Sequence, residues 1–109
     1  MLSKADLVRI LNDHLRTTFT GGRILVTASI AELDPQLKAK ILLAVREFRD
    51  FHSDNDPYHE HDVAFFDVDA ERYFFKVDYY DLNTKFHSPD PADPERTCRV
   101  LTIGRHSDY

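Results

Sequence analysis

Val63-Ala64-Phe65-Phe66-Asp67-Val68-Asp69-Ala70-Glu71-Arg72-Tyr73-Phe74-Phe75-Lys76-Val77-Asp78-Tyr79-Tyr80 is the stretch from which the fold of this chain is read. From Val63 to Asp69, Val63, Phe65 and Asp67 alternate with Ala64, Phe66 and Val68. Tyr73, Phe75, Val77 and Tyr79 then alternate with Phe74, Lys76, Asp78 and Tyr80. A period of two in aromatic and β-branched residues is that of strands. Asp69-Ala70-Glu71 between them is short enough for a hairpin turn, although it lacks the usual glycine. Adjacent strand residues point to opposite faces, so one of each pair Phe65-Phe66 and Tyr79-Tyr80 leaves the main core.

Upstream, Asp34-Pro35 is a helix start, with Asp as N-cap and Pro at the first helical position. Leu37, Ile41, Ala44, Val45 and Phe48 follow on one face, which predicts a helix through residue 49. Before it, Ile24, Val26, Ala28 and Ile30 alternate with Leu25, Thr27 and Ser29, predicting a strand. Gly21-Gly22 separates that strand from a first amphipathic helix over 4–17, with Leu7, Ile10, Leu11 and Leu15 at helical spacing. Residues 51–62 hold no period. Downstream, Ser88-Pro89-Asp90-Pro91-Ala92-Asp93-Pro94 makes residues 82–96 a surface loop. Cys98 to Ile103 reads as a last strand before a polar tail. The expected fold is α+β, in the order α-β-α-β-β-β. Two helices are packed on one face of a four-stranded, mostly antiparallel sheet. Residues 1–109 form a single domain, with the N-terminal helix within 1–20 loosely attached. The other sheet face carries Phe74, Lys76, Asp78 and Tyr80, an aromatic set for a face with nothing on it.

A chain of 109 residues is one domain's length. No apolar run approaches the ~18 residues of a membrane span, and Met1-Leu2-Ser3-Lys4-Ala5-Asp6 does not read as a signal peptide. The single cysteine, Cys98, excludes an internal disulfide and fits a reducing cytoplasm. Charge is divided unevenly: the net is +3 over 1–49, −10 over 50–95 and +2 over 96–109. Direct binding to nucleic acid is not expected, since phosphates call for clustered Lys and Arg.

The acidic loop Ser53-Asp54-Asn55-Asp56-Pro57-Tyr58-His59-Glu60-His61-Asp62 admits three readings. As a metal site it offers the oxygens of Asp54 and Asp56 and the nitrogens of His59 and His61. An EF-hand is excluded, because from Asp54 the sixth position is His59 and the twelfth is Phe65. As a catalytic site it offers His61 as general base beside Glu60 and Asp62. As structure it offers Asp and Asn side chains that bond nearby backbone N–H groups in a tight turn.

This loop, together with Val77-Asp78-Tyr79-Tyr80-Asp81, Ser88-Pro89-Asp90-Pro91-Ala92-Asp93-Pro94 and Arg99-Val100-Leu101-Thr102-Ile103, resembles a bacterial family of unknown function, DUF3768. The resemblance covers residues ~24–109. It implies a proteobacterial source near plasmid and prophage genes, and it implies no activity. His59 stands where that family typically has Gly, and Val63-Ala64 replaces an aromatic-Gly pair. A Gly at positive φ there would leave His59 strained or the loop reshaped.

The expected function is a non-catalytic, acidic protein-binding domain. In its sharper form, which the resemblance's mobile-element setting implies, it is an anti-CRISPR or anti-restriction inhibitor. It would occupy a basic surface that binds nucleic-acid phosphates on a CRISPR effector or restriction enzyme. Asp67, Asp69, Glu71, Phe74, Asp78 and Tyr80 are the expected partner-binding residues. The alternative is a small hydrolase using the cluster at 52–62, with or without a metal. No cofactor and no membrane partner are expected, and the chain is a monomer or a homodimer.

Overall fold

The computed structural model describes residues 1–109. The chain runs α1 (Lys4–Thr18), β1 (Arg23–Val26), α2 (Ala28–Ala31), α3 (Pro35–Glu47), β2 (Val63–Val68), β3 (Glu71–Tyr80) and β4 (Cys98–Arg105). A 3₁₀ turn, His106–Asp108, follows. The four strands form one mixed sheet in the order β1-β4-β3-β2. β2–β3 and β3–β4 are antiparallel, while β1 lies parallel to β4. No helix is long and apolar enough to cross a membrane.

Local chemistry starts and stops these elements. Ser3 and Asp6 cap α1 reciprocally: the Ser3 hydroxyl accepts from Asp6 N at 3.0 Å, and Asp6 Oδ2 accepts from Ser3 N at 2.9 Å. Asp34 Oδ1 accepts from the backbone N–H groups of Gln36 and Leu37, and Pro35 takes the first helical position, as expected. Between β2 and β3 the turn is two residues long, because Val68 pairs directly with Glu71. Asp69 (φ +50°) and Ala70 (φ +68°) are both left-handed, as this turn requires. Ala70 holds that conformation at a cost of about 1–2 kcal/mol.

Two expectations are corrected. The strand expected through Ile30 ends at Val26. Thr27 and Ser29 turn the chain into α2 by donating their hydroxyls to Asp108, at 2.8 and 2.6 Å, and Ile30 is fully buried. α1 is rotated from its expected face: Val8, Asn12, Leu15 and Arg16 are buried, while Leu7 and Ile10 are exposed. From α1, Arg16 Nη1 donates to the carbonyls of Val45 and Phe48 at the end of α3, at 2.9 and 2.8 Å. The polar tail folds onto the sheet. The Tyr109 ring meets Phe65 and Phe74 edge-on, with centroids 5.0 and 5.1 Å apart.

One buried cluster holds the fold together. Leu15, Ile30, Ile41 and Val45 meet Ala64, Phe66, Tyr73, Phe75, Val77, Leu101 and Ile103. The opposite face of the sheet carries Phe65, Asp67, Phe74, Lys76, Asp78, Tyr80, Val100 and Thr102, as the cross-strand register places them.

Candidate functional site

The acidic loop is built from short-range bonds. His52 N donates to Asn55 Oδ1 at 2.8 Å, and Asn55 Nδ2 donates to Asp50 O at 2.7 Å. Asp56, almost wholly buried, accepts the His61 backbone N–H at 3.0 Å. His59 (φ +59°) and His61 (φ +54°) both adopt left-handed backbone, the conformation that favours glycine. A glycine would adopt the backbone at His59 without strain.

His61 is engaged on three sides. Its Nδ1 is 2.9 Å from Asp13 Oδ1 on α1, and its Nε2 is 3.5 Å from Asp56 Oδ2. Its ring stacks on Phe51 with centroids 3.8 Å apart. Asp13 also holds Arg16 at 3.1 Å, so one carboxylate joins α1, the loop and the end of α3. A general base needs a ring nitrogen facing the proton it removes. Here both nitrogens face carboxylates of the protein itself.

A second polar hub lies beside the first. Asn12, with no exposed surface, donates through Nδ2 to the Glu60 carbonyl at 3.0 Å and to Tyr79 Oη at 2.8 Å. Its Oδ1 accepts from Arg99 Nε at 2.7 Å. Tyr79 donates its hydroxyl to Glu60 Oε1 at 3.0 Å, and Arg99 Nη2 donates to the Pro91 carbonyl. The Arg99 guanidinium also lies over the Tyr79 ring, 5.1 Å from its centroid. Burial, then the charge of Glu60, pushes the Tyr79 hydroxyl well above the usual phenol range. Sequence reasoning missed Asn12, Asp13, Arg16 and Arg99. The one signal was polar residues at helical spacing among the apolar positions of α1.

The three residues of the hydrolase set have separate partners within the protein: His61 between two carboxylates, Glu60 on Tyr79, and Asp62 half-buried with its carbonyl accepting from Val77 N at 2.7 Å. Of the metal set, His59 and Asp54 are exposed while Asp56 and His61 are paired. No three His, Cys, Asp or Glu side chains are grouped to hold a metal ion.

The six partner-binding candidates divide. Asp67, Phe74, Asp78 and Tyr80 share the open face, Asp69 occupies the turn, and Glu71 points to the other side of β3. Phe74 is corrected, since it is buried beneath Tyr109. Its ring sits on Gly104, where an added Cβ would lie 2.7 Å from Phe74 Cε1. Asp67 is 3.8 Å from Arg72 and Asp69 3.2 Å from Lys40, both pairs exposed. Asp78 pairs with Lys76 at 3.1 Å.

Asp62 supplies a pH test. Burial, then the charges of Glu60, Asp56 and Asp78, raises its carboxyl above the usual carboxylate range. The folded state therefore binds this proton more tightly than the unfolded state, and stability falls as pH rises from the unfolded pKa through the folded one. Asp62→Asn is expected to raise Tm at pH 7 and to leave it unchanged below the unfolded pKa of about 3.8. A lower Tm at pH 7 in the variant would contradict this.

Residues 26–108 match the family model described as a protein of unknown function (DUF3768). No curated protein and no solved structure matches the chain.

Proposed function

Because the chain belongs to DUF3768, a family of unknown function, we propose its function from its own surface: a non-catalytic, acidic protein-binding domain. Its hairpin tip docks on a basic surface that otherwise receives nucleic-acid phosphates. The observation that carries this reading is the division among carboxylates. Asp13, Asp56 and Glu60 are turned to internal donors. Asp67, Asp69 and Glu71 stand exposed around one tight turn. Exposed pairs such as Asp69–Lys40 contribute little to folding, so a partner's Lys and Arg can displace them at small cost. An anti-defence inhibitor, acting on a CRISPR effector or restriction enzyme, is the finer form of this proposal. It draws on the mobile-element setting that the family resemblance implies.

The test combines Asp67→Asn, Asp69→Asn and Glu71→Gln in one variant. Stability should change by no more than about 0.5 kcal/mol, because these side chains are exposed. Asn also tolerates the left-handed backbone at position 69. A partner captured by the wild type should associate with the variant about tenfold more slowly at low salt. The gap should close as salt rises. Equal rates for both proteins at low salt would overturn the reading.

A further inference from the structure

Beyond the hairpin, the open face of the sheet is concave. A cleft of about 480 Å³ lies across β1, β4 and β3, within the range of small-ligand sites. Leu25, Phe74, Tyr80 and Val100 are its apolar lining. Thr84, from the segment after β3, lies toward one end, while Thr27 and Asp108 lie toward the other. Cross-strand register puts Arg23, Val100 and Asp78 in one row, and Leu25, Thr102 and Lys76 in the next.

The charges in this cleft are not equally committed. Lys76 and Asp78 neutralise each other at 3.1 Å. Asp108 Oδ2 accepts from Thr27 Oγ1, Ser29 Oγ and Arg105 N, at 2.8, 2.6 and 3.0 Å, whereas its Oδ1 takes no bond. The Arg23 guanidinium makes no ion pair and no hydrogen bond, although it lines the cleft. A free cation thus marks one end of the groove and a half-free carboxylate the other, over an apolar floor.

We propose that this cleft binds a small zwitterion whose carboxylate meets Arg23 and whose ammonium meets Oδ1 of Asp108. Arg23 and Thr27, to which Asp108 is bonded, are four residues apart, about 13 Å at the rise of a strand. Part of that distance is taken up by the two side chains. The ligand's charges are therefore separated by an apolar body, as in an ω-amino acid, and α-amino acids are excluded by their adjacent charges. The guanidinium gives the carboxylate a two-pronged partner. Bonds from Ser29, then Thr27, then Arg105 N hold the Asp108 carboxyl below the usual carboxylate range, so it is ionised at neutral pH.

Titration of the full chain followed by amide NMR tests this with four probes: 6-aminohexanoate, its isomer 2-aminohexanoate, hexanoate and hexylamine. The expected result is shifts centred on Arg23, Leu25, Val100 and Thr102, with 6-aminohexanoate binding at least tenfold more tightly than the other three. Arg23→Gln should bring 6-aminohexanoate down to the affinity of hexylamine, and Asp108→Asn to that of hexanoate. If Asp108→Asn unseats the tail, seen as a change at Phe65 and Tyr109, Arg23→Gln alone decides. Equal affinity for all four probes, shifts centred outside the cleft, or no shifts at millimolar concentration would overturn the proposal.

Discussion

Replacing Arg99 with Ala is expected to destabilise the protein by about 3–5 kcal/mol, because two neutral acceptors each lose a charge-assisted bond worth about 1.5–3 kcal/mol. Arg99 is 2% exposed. Its loss strips the donors from Asn12 Oδ1 and from the Pro91 carbonyl. Asn12 Oδ1 is fully buried and bears its desolvation cost, while the Pro91 carbonyl is only partly buried. The Pro-rich loop is fastened through this same side chain, so its amides should exchange faster in the variant. Urea unfolding measures the loss, and in a domain of this size Tm should fall by more than 10 °C. A double-mutant cycle with Asn12→Ala should show coupling of about 1 kcal/mol, because the two side chains share a bond. A loss under 1 kcal/mol for Arg99→Ala would show that the hub does not hold the fold.

Phe75→Ala should cost a similar amount, about 3–5 kcal/mol, by a different route. Phe75 has no exposed surface and stands among Phe48, Phe51 and Phe66, with centroids 5.6, 6.3 and 6.3 Å away. Arg16 lies over its ring at 5.4 Å. Removing the ring leaves a cavity that rigid neighbours fill only in part. The damage should also spread to the acidic loop, because Phe51 is the plate on which His61 stacks. Faster amide exchange at His61, together with a calorimetric Tm drop, is the expected pair of observations. A loss under about 1.5 kcal/mol with unchanged exchange would mean that the site collapses freely. Set against a total stability of about 5–15 kcal/mol, either loss is a large fraction of what holds the fold.

The parts of the fold legible in the sequence are those decided by neighbours in the chain. The β2–β3 hairpin shows in its period of two, and α3 in Asp34-Pro35 followed by one apolar face. β1 was read too long because Val26, Ala28 and Ile30 fit two patterns. A short alternation cannot be distinguished from a strand end followed by one helical turn. Asp108, distant in sequence, decides it by binding Thr27 and Ser29. The face of α1 was misjudged for a related reason. Hydrophobicity alone favours Leu7 and Ile10, yet Asn12 and Arg16 take the buried positions because Arg99, Glu60, Val45 and Phe48 supply their partners. Polar burial of this kind depends on tertiary partners, and nothing within one helix announces it.

The hairpin acids were legible as charges and the acidic loop as turn chemistry. What the sequence could not show is how sharply the two sets differ. His61, Glu60 and Asp56 read alike as candidate chemistry, and only the positions of Asp13, Phe51 and Tyr79 show what surrounds them. The cleft was also hidden, since it needs Arg23 beside Val100 and the tail folded across the sheet.

The parallel pairing of β1 with β4 has a consequence for how the chain is made. Arg23 has no strand to join until Val100 exists, and Asn12 waits for Arg99, 87 residues further on. Contacts so distant carry the loop-closure entropy that slows folding. During synthesis the first helices and β1 leave the ribosome with their apolar surfaces uncovered, and the β2–β3 hairpin forms before the central β4 exists to join it to β1. Closure of the core therefore waits for β4 to be made, and a nascent chain stopped before β4 should be held by chaperones as a sticky, protease-sensitive intermediate.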